Sequence, residues 1–271
     1  MAVLSYTEPK RLLNPAGGYL TGYSHTLNPY AGCAFACAYC YVREMPIGKF
    51  RREPWGAWVD VKRGAAELLR KELRREGRKG PLTIFMSSST DPYQPAEYKE
   101  QVTRTLLEVM ADEPPAFLFV QTRSPLVTRD IDLLQRLEGR VRVSMTVETD
   151  LESVRRVFAP AAPPIAARLR ALRQLAAAGI DVQAAVSPLL PCTAGFAELL
   201  AGIVPRVCID DYFRGDGSLG KRTGRLGLAA LYERLGQADW YGPDAFDRVV
   251  EQFRLHFPEE RIGLSQEGFM P

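Results

Sequence analysis

Three of the five cysteines in this 271-residue chain, Cys33, Cys37 and Cys40, fall in one short stretch with the spacing C-x3-C-x2-C. The stretch runs Asn28-Pro29-Tyr30-Ala31-Gly32-Cys33-Ala34-Phe35-Ala36-Cys37-Ala38-Tyr39-Cys40-Tyr41, an aromatic loop broken by Pro and Gly. Thiolates hold either zinc or iron–sulfur clusters. A structural zinc site wants four tetrahedral ligands, often paired as C-x2-C, and no fourth Cys or His follows nearby. On a four-iron cubane, three protein thiolates leave one iron open, and an open position is what chemistry requires. A structural zinc knuckle remains the alternative.

The elements that must position this loop alternate regularly. Residues 19–27 read as a strand leading into it, and residues 43–60, with two prolines and two tryptophans, read as irregular. Helical spacing of Ala65, Ala66, Leu68, Leu69 and Leu73 predicts a helix over 62–77, ended by Gly77, Gly80 and Pro81. Short apolar runs at 82–86, 117–120, 141–147, 180–186 and 206–209 predict five more strands. Helices are expected over 97–111, 127–138, 150–178, 194–203, 224–236 and 243–256. Such alternation predicts right-handed βαβ units and a parallel sheet, α/β in class, with about six units. That number permits a partial (β/α)6 barrel or a Rossmann-like sheet. Either way, functional groups belong at the C-terminal ends of the strands.

Composition narrows the class. The chain is 46% hydrophobic and 25% charged, enough for a sizeable core. No apolar run reaches the ~18 residues of a membrane span. The N-terminal MAVLSYTEPKRLL lacks a signal peptide's apolar core, so the expected location is the cytoplasm. Clustered cysteines argue against a disulfide framework. A formal charge of +3 does not by itself imply nucleic acid. The dense run from Lys62 to Lys79, with Glu67, Glu72 and Glu76 interleaved, reads as a solvated helix face. No G-x-S-x-G or phosphate-loop motif occurs, and His25 and His256 are the only histidines.

The run NPYAGCAFACAYCYVR, with Tyr39 just before the last cysteine, resembles the radical S-adenosylmethionine (SAM) superfamily, in its spore photoproduct lyase-like branch. The stretch STDPYQPAE at 89–97 resembles a second segment of that branch. The resemblance implies a single domain over 1–271. A partial (β/α)6 barrel core would span about 19–211, with a helical C-terminal extension over about 212–271. It implies a [4Fe–4S] cluster on Cys33, Cys37 and Cys40, with SAM on the open iron. The reduced cluster would split SAM to a 5′-deoxyadenosyl radical. The implied partners are a reductant such as flavodoxin or ferredoxin and, for photoproduct repair, DNA. The alternatives are a radical SAM enzyme on a non-DNA substrate and a non-catalytic metal-binding protein.

The strand ends then supply candidates. Tyr39 is expected beside the adenine. Ser87, Ser89, Thr90 and Asp91 group hydroxyls and a carboxylate suited to the amino group of SAM; as a plain polar turn they would cap the next helix. Arg123 is expected on the SAM carboxylate or an anionic substrate. Ser144 and Glu148 lie after the fourth strand, where Glu148 suits the ribose hydroxyls, and Arg168 resembles an arginine near the SAM carboxylate. Photoproduct lyases carry a hydrogen-donating cysteine three residues before the aspartate, where this chain has Ser88, a poor hydrogen-atom donor. Cys192, after the fifth strand and its P-x-x-P turn, is the replacement candidate, and Tyr212 the reserve. Lys221 and Arg222 are expected on a mobile loop near an anionic substrate.

Overall fold

A computed structural model describes residues 2–271. Its strands are β1 (Val3–Thr7), β2 (Asn14–Pro15), β3 (His25–Leu27), β4 (Tyr30–Ala31), β5 (Trp58–Lys62), β6 (Thr83–Met86), β7 (Phe117–Thr122), β8 (Val141–Thr146), β9 (Asp181–Val186), β10 (Val207–Ile209) and β11 (Ile262–Leu264). Eight of them form one sheet in the order β11-β10-β9-β8-β7-β6-β3-β2, parallel throughout except for β2. The expected α/β barrel architecture is present, with a seventh parallel strand. That strand, β11, comes from the extension read as wholly helical. Its three residues, Ile262, Gly263 and Leu264, are too few for any periodicity to announce them.

Two further expectations change. The first strand is only His25–Leu27, because residues 18–20 form a 3-10 turn. The segment read as irregular ends in β5, which joins β1 and β4 in a second, three-stranded sheet. The helix over Ala65–Gly77 forms as its spacing predicts. Glu72 is nevertheless buried, and its carboxylate accepts the backbone N–H groups of Leu12 and Leu13 at 2.9 and 2.8 Å. An unpaired buried N–H is costly, so this glutamate serves the N-terminal segment instead of solvent.

Strand alternation divides the core. Outward residues such as Leu118, Val120, Val143, Met145 and Val182 pack under the helices in the large outer core. Inward residues Phe85, Phe119, Ala185 and Cys208 join Tyr23 and Phe269 on the barrel floor. The sheet does not close on itself, and the C-terminal segment crosses the gap. Tyr23 donates to the Phe269 carbonyl at 2.7 Å, and the Gln266 amide to the Tyr19 carbonyl at 2.8 Å. No helix of the described residues is long and apolar enough to cross a membrane.

Candidate active site

The cysteine loop leaves β3 at the C-terminal end of the barrel, and almost every turn of it is tied down. Lys62, its ammonium pushed down to about 8 by burial, donates to the Asn28 carbonyl at 2.5 Å. The Asn28 amide exchanges bonds with Ser88 Oγ and the Ser89 N–H. Tyr30 donates to buried Glu97. Thr90 and Gln94 both donate to the Gly32 carbonyl, at 2.6 and 3.1 Å, while Gln94 Oε1 accepts the Ala34 N–H at 2.9 Å. Gln94 thus holds the backbone on both sides of Cys33. Gly32 must be glycine: its φ is +78° and a Cβ would stand 2.6 Å from the Trp58 carbonyl.

Burial, and then the charges of neighbouring groups, push the Cys33 thiol up; burial does the same for Cys37 and lifts Cys40 to about 12. Among the described residues no three Cys, His, Asp or Glu converge as ligands of a single ion.

Behind Cys37 lies a buried charged group. Glu148, in the turn just beyond β8, accepts Tyr39 Oη and Arg123 Nη1 on one oxygen, the latter at 2.9 Å. Arg168 Nη1 reaches its other oxygen at 2.5 Å and the Thr146 carbonyl at 3.0 Å. Burial alone would raise the Glu148 carboxyl; the two guanidiniums and the tyrosine outweigh it and hold it at about 2. Asp91 accepts the Tyr93 N–H, the Thr122 hydroxyl and the Arg123 N–H at 2.7–2.9 Å. Its carboxylate is therefore engaged in fixing where Arg123 leaves β7, while burial pushes its carboxyl up. Three buried polar atoms at this end of the barrel have no partner: Ser87 Oγ, Gln121 Oε1 and Arg168 Nη2. Buried polar groups are normally paired, so these mark where a polar ligand would bind.

Residues 27–192 match the sequence model of the Radical SAM superfamily, more than half the chain. This protein belongs to the radical SAM superfamily. An uncharacterized protein of Methanocaldococcus jannaschii is 32% identical over 184 residues, covering 68% of this chain and 66% of the relative. An uncharacterized protein of Acidianus two-tailed virus is 35% identical over 172 residues, 61% and 56% of the two chains. The chain thus spans half to two thirds of the length of the curated relatives it matches. In structure it is similar to mutants of spore photoproduct lyase. One matches with a TM-score of 0.66 at 15% identity, and one with bound AdoMet and dinucleoside spore photoproduct with 0.65 at 16%. Each covers 97% of this chain and 81% of the lyase. At that identity the likeness shows the fold.

Radical SAM proteins use a [4Fe–4S] cluster and SAM, and the donor set fits both. Cys33, Cys37 and Cys40 supply thiols, and the unpartnered atoms of Ser87, Gln121 and Arg168 supply polar groups for a zwitterionic nucleoside. Tyr39, Arg123, Glu148 and Arg168 come together in one hydrogen-bonded group. Leu190, of the P-x-x-P turn, shares the buried cluster of Tyr39. Tyr212 is there too, its ring 6.4 Å from that of Tyr39 and its hydroxyl bonded to Tyr232.

Other expectations are corrected. Ser144 lies two layers below the top, since alternation puts residues 144, 146 and 148 on one inner face; its hydroxyl is held by Gln183 at 3.1 Å. Thr90 and the Ser89 backbone secure the cysteine loop. Cys192 packs against the outer core with Asp150 as its charged neighbour, because the chain has already turned outward beyond Leu190. Burial pushes its thiol up to about 12. The stretch 215–222 is wound around Asp216, whose carboxylate accepts the N–H groups of Ser218, Gly220, Arg222 and Thr223, and Arg222 donates back to the Asp216 carbonyl.

Gln94, Gln121 and Gln183 went unread in the sequence. Gln94 lay within the quoted 89–97 motif, yet nothing in a lone glutamine signals two backbone bonds.

Proposed function

We propose that this radical SAM enzyme generates its radical at the top of the barrel and uses it on a substrate admitted beside Tyr41 and Ser88, with a thymine photoproduct in DNA as the first candidate. The observation that carries this is the pairing of three thiols with a buried Arg–Glu–Arg–Tyr group that still holds unpartnered polar atoms. A cluster held by Cys33, Cys37 and Cys40 would supply the one electron needed for reductive cleavage of SAM, and with it a radical able to abstract hydrogen.

The chain's own residues do the rest. Glu148 stays ionised between two guanidiniums, so it offers an acceptor and keeps Arg123 and Arg168 aimed. Phe35, Phe158, Leu190, Tyr212 and Tyr232 bury the site on the Tyr39 side, excluding water from a species that water would divert. Tyr41 donates to the Ser88 carbonyl at 3.3 Å, beside the proposed entrance. A DNA lesion would have to be flipped out of its stack to reach it. The fold of the lyases extends over nearly the whole chain, which supports that substrate class.

A second reading, a non-DNA substrate, is favoured by Ser88. A serine O–H is too strong a bond to give up a hydrogen atom readily, and Cys192 and Cys208 sit in other parts of the core. The test is anaerobic turnover with SAM, reductant and oligonucleotides carrying defined thymine photoproducts. Restored thymines together with 5′-deoxyadenosine are expected. Formation of 5′-deoxyadenosine with every photoproduct unchanged would remove DNA and leave the second reading.

A further inference from the structure

Most cations of this chain are spent in ion pairs, but one surface keeps an excess. An open concavity of about 440 Å³ is lined by Arg43, Lys49, Arg51, Arg52 and Arg225, with Trp55 in its wall. Only two carboxylates, Glu44 and Glu53, share that lining. Glu44 faces Lys49 at 3.3 Å and Arg225 at 3.8 Å, and Arg51 is held by Glu53 and Asp60. Arg43 and Arg52 have no carboxylate partner among the described residues. Phe50, 84% exposed, stands in the same segment. The indole N–H of Trp55 is buried without an acceptor.

This surface is the outer cover of the cysteine loop. A Cβ on Gly56 would lie 2.3 Å from Ala36 Cβ, and one on Gly48 would lie 2.7–2.8 Å from the backbone of Val42 and Arg43. Arg43 donates to the carbonyl of Ala38, between Cys37 and Cys40. Residues 43–56 are therefore layered directly on residues 36–43. The loop's inner side faces Arg123 and Glu148, since Tyr39, between Cys37 and Cys40, accepts from Arg123 and donates to Glu148. A partner seated outside reaches the thiols without crossing the space for SAM.

We infer that this concavity docks the acidic one-electron carrier that reduces the cluster, a flavodoxin. The inference rests on the radical SAM reading. Electron transfer weakens steeply with distance, so the carrier must sit on the surface nearest the cluster. Cations around a hollow walled by a tryptophan, with exposed Phe50 in the same segment, suit an acidic protein with an exposed flavin edge. One electron leaves the reduced flavin and enters the cluster, and no bond is made or broken. A nucleic-acid backbone would call for a cationic stripe leading to the barrel mouth; here the cations ring one hollow, with two carboxylates among them.

The test uses the cluster-loaded protein and its Arg52→Glu/Arg225→Glu variant, both sites being exposed. Two quantities are read: affinity for a bacterial flavodoxin by titration, and 5′-deoxyadenosine formation driven by reduced flavodoxin or by dithionite, which needs no docking site. The variant should bind flavodoxin about tenfold more weakly and lose about tenfold in the flavodoxin-driven rate, with the dithionite-driven rate unchanged. The wild-type flavodoxin-driven rate should fall as salt rises. Unchanged flavodoxin affinity in the variant overturns the proposal. So does a loss of duplex-DNA binding with flavodoxin affinity intact, which would make the surface a nucleic-acid site. If neither reductant yields 5′-deoxyadenosine in wild type, the radical SAM reading fails, while the titration still decides the docking surface.

Discussion

The floor and the top of the barrel are built from the same strands and are opposite in kind. On the floor, Phe85 and Phe119 stack at 5.0 Å, and Tyr23 and Phe269 meet them edge-on. The hydroxyls of Tyr23 and Tyr19 there are both paired, to the Phe269 carbonyl and to Asp210. Two layers up, the inward residues of β7 and of the turn after β8 are Gln121, Arg123 and Glu148, and side-chain atoms remain unpartnered. The floor is a finished core. The top carries a cost that a ligand or ordered water would offset, since a buried polar group without a partner costs ~1–3 kcal/mol. Inward positions therefore change from aromatic to charged along one strand, without any change in the backbone.

The strongest way to separate the two ends is to remove the thiols. A Cys33→Ala, Cys37→Ala, Cys40→Ala variant should lose essentially all cluster iron and all 5′-deoxyadenosine formation, while circular dichroism reports an intact floor. Iron retained at wild-type levels would break the assignment of the loop.

Next come two substitutions matched in cost and different in kind. Phe119→Ala should cost about 3–5 kcal/mol by opening a cavity in the floor, with SAM affinity unchanged in titrations of the folded protein. Glu148→Gln should cost about as much, because it leaves two buried guanidiniums short of a partner, and should also weaken SAM binding. The folded Glu148 carboxyl lies at about 2, below its ordinary 4.5. Its contribution is thus fully present above pH ~4.5 and is lost as pH falls through about 2. Denaturant titrations between pH 2 and 5 should show that acid loss in wild type and its absence in the variant.

Gln94→Leu should cost ~1–3 kcal/mol, the price of stranding the Ala34 N–H. The readout is iron released on exposure to chelator, which should be faster than in wild type. Equal release would confine Gln94 to general stability.

The smallest effect concerns the contact between the 3-10 turn at residues 18–20 and the end of β10, where Tyr19 donates to Asp210 at 2.7 Å. Burial pushes the Asp210 carboxyl from 3.8 up to about 6. For an acid raised on folding, the charged form costs stability: the cost is absent below pH ~3.8, grows to about pH 6 and is constant above. Asp210→Asn removes it but weakens the bonds from Tyr19 and the Asp211 N–H. A net gain of about 1 kcal/mol is expected at neutral pH, or about 2–4 °C in Tm. The variant should also lose the slope between pH 4 and 6. A Tm that falls at pH 7 would count against this sign.

What could be read in advance followed local rules. The C-x3-C-x2-C spacing, the alternation of apolar runs with helical periods, and the placing of chemistry at strand ends are properties of adjacent residues, and they led to the three cysteines, the parallel α/β class, Arg123 and Glu148; the choice of a barrel, Tyr39 and Arg168 came from the family resemblance. Ser144 was placed too high because a residue's depth inside a barrel depends on where its strand begins and on which face it points. Cys192 was misplaced for a related reason, since the direction of a chain after a P-x-x-P turn is set by what it packs against.

The sequence by itself determined which groups are available: three soft thiols within one loop, Arg123 and Glu148 at the ends of predicted strands, Arg168 on a predicted helix, and Ser88 where the resemblance to photoproduct lyases leads one to expect a cysteine. Their chemistry belongs to the side chains and needs no fold to be recognised. Only the tertiary structure decided which of them meet. Arg123, Glu148 and Arg168 become one buried charge network because β7 and β8 run in parallel register and the helix over Ile165–Ala177 packs back across them. Gln94 finds both flanks of Cys33 only after β3 and β6 pair side by side. Those contacts join residues 20–109 positions apart, and at such separations pairing is governed by packing of the whole sheet, which no local pattern encodes.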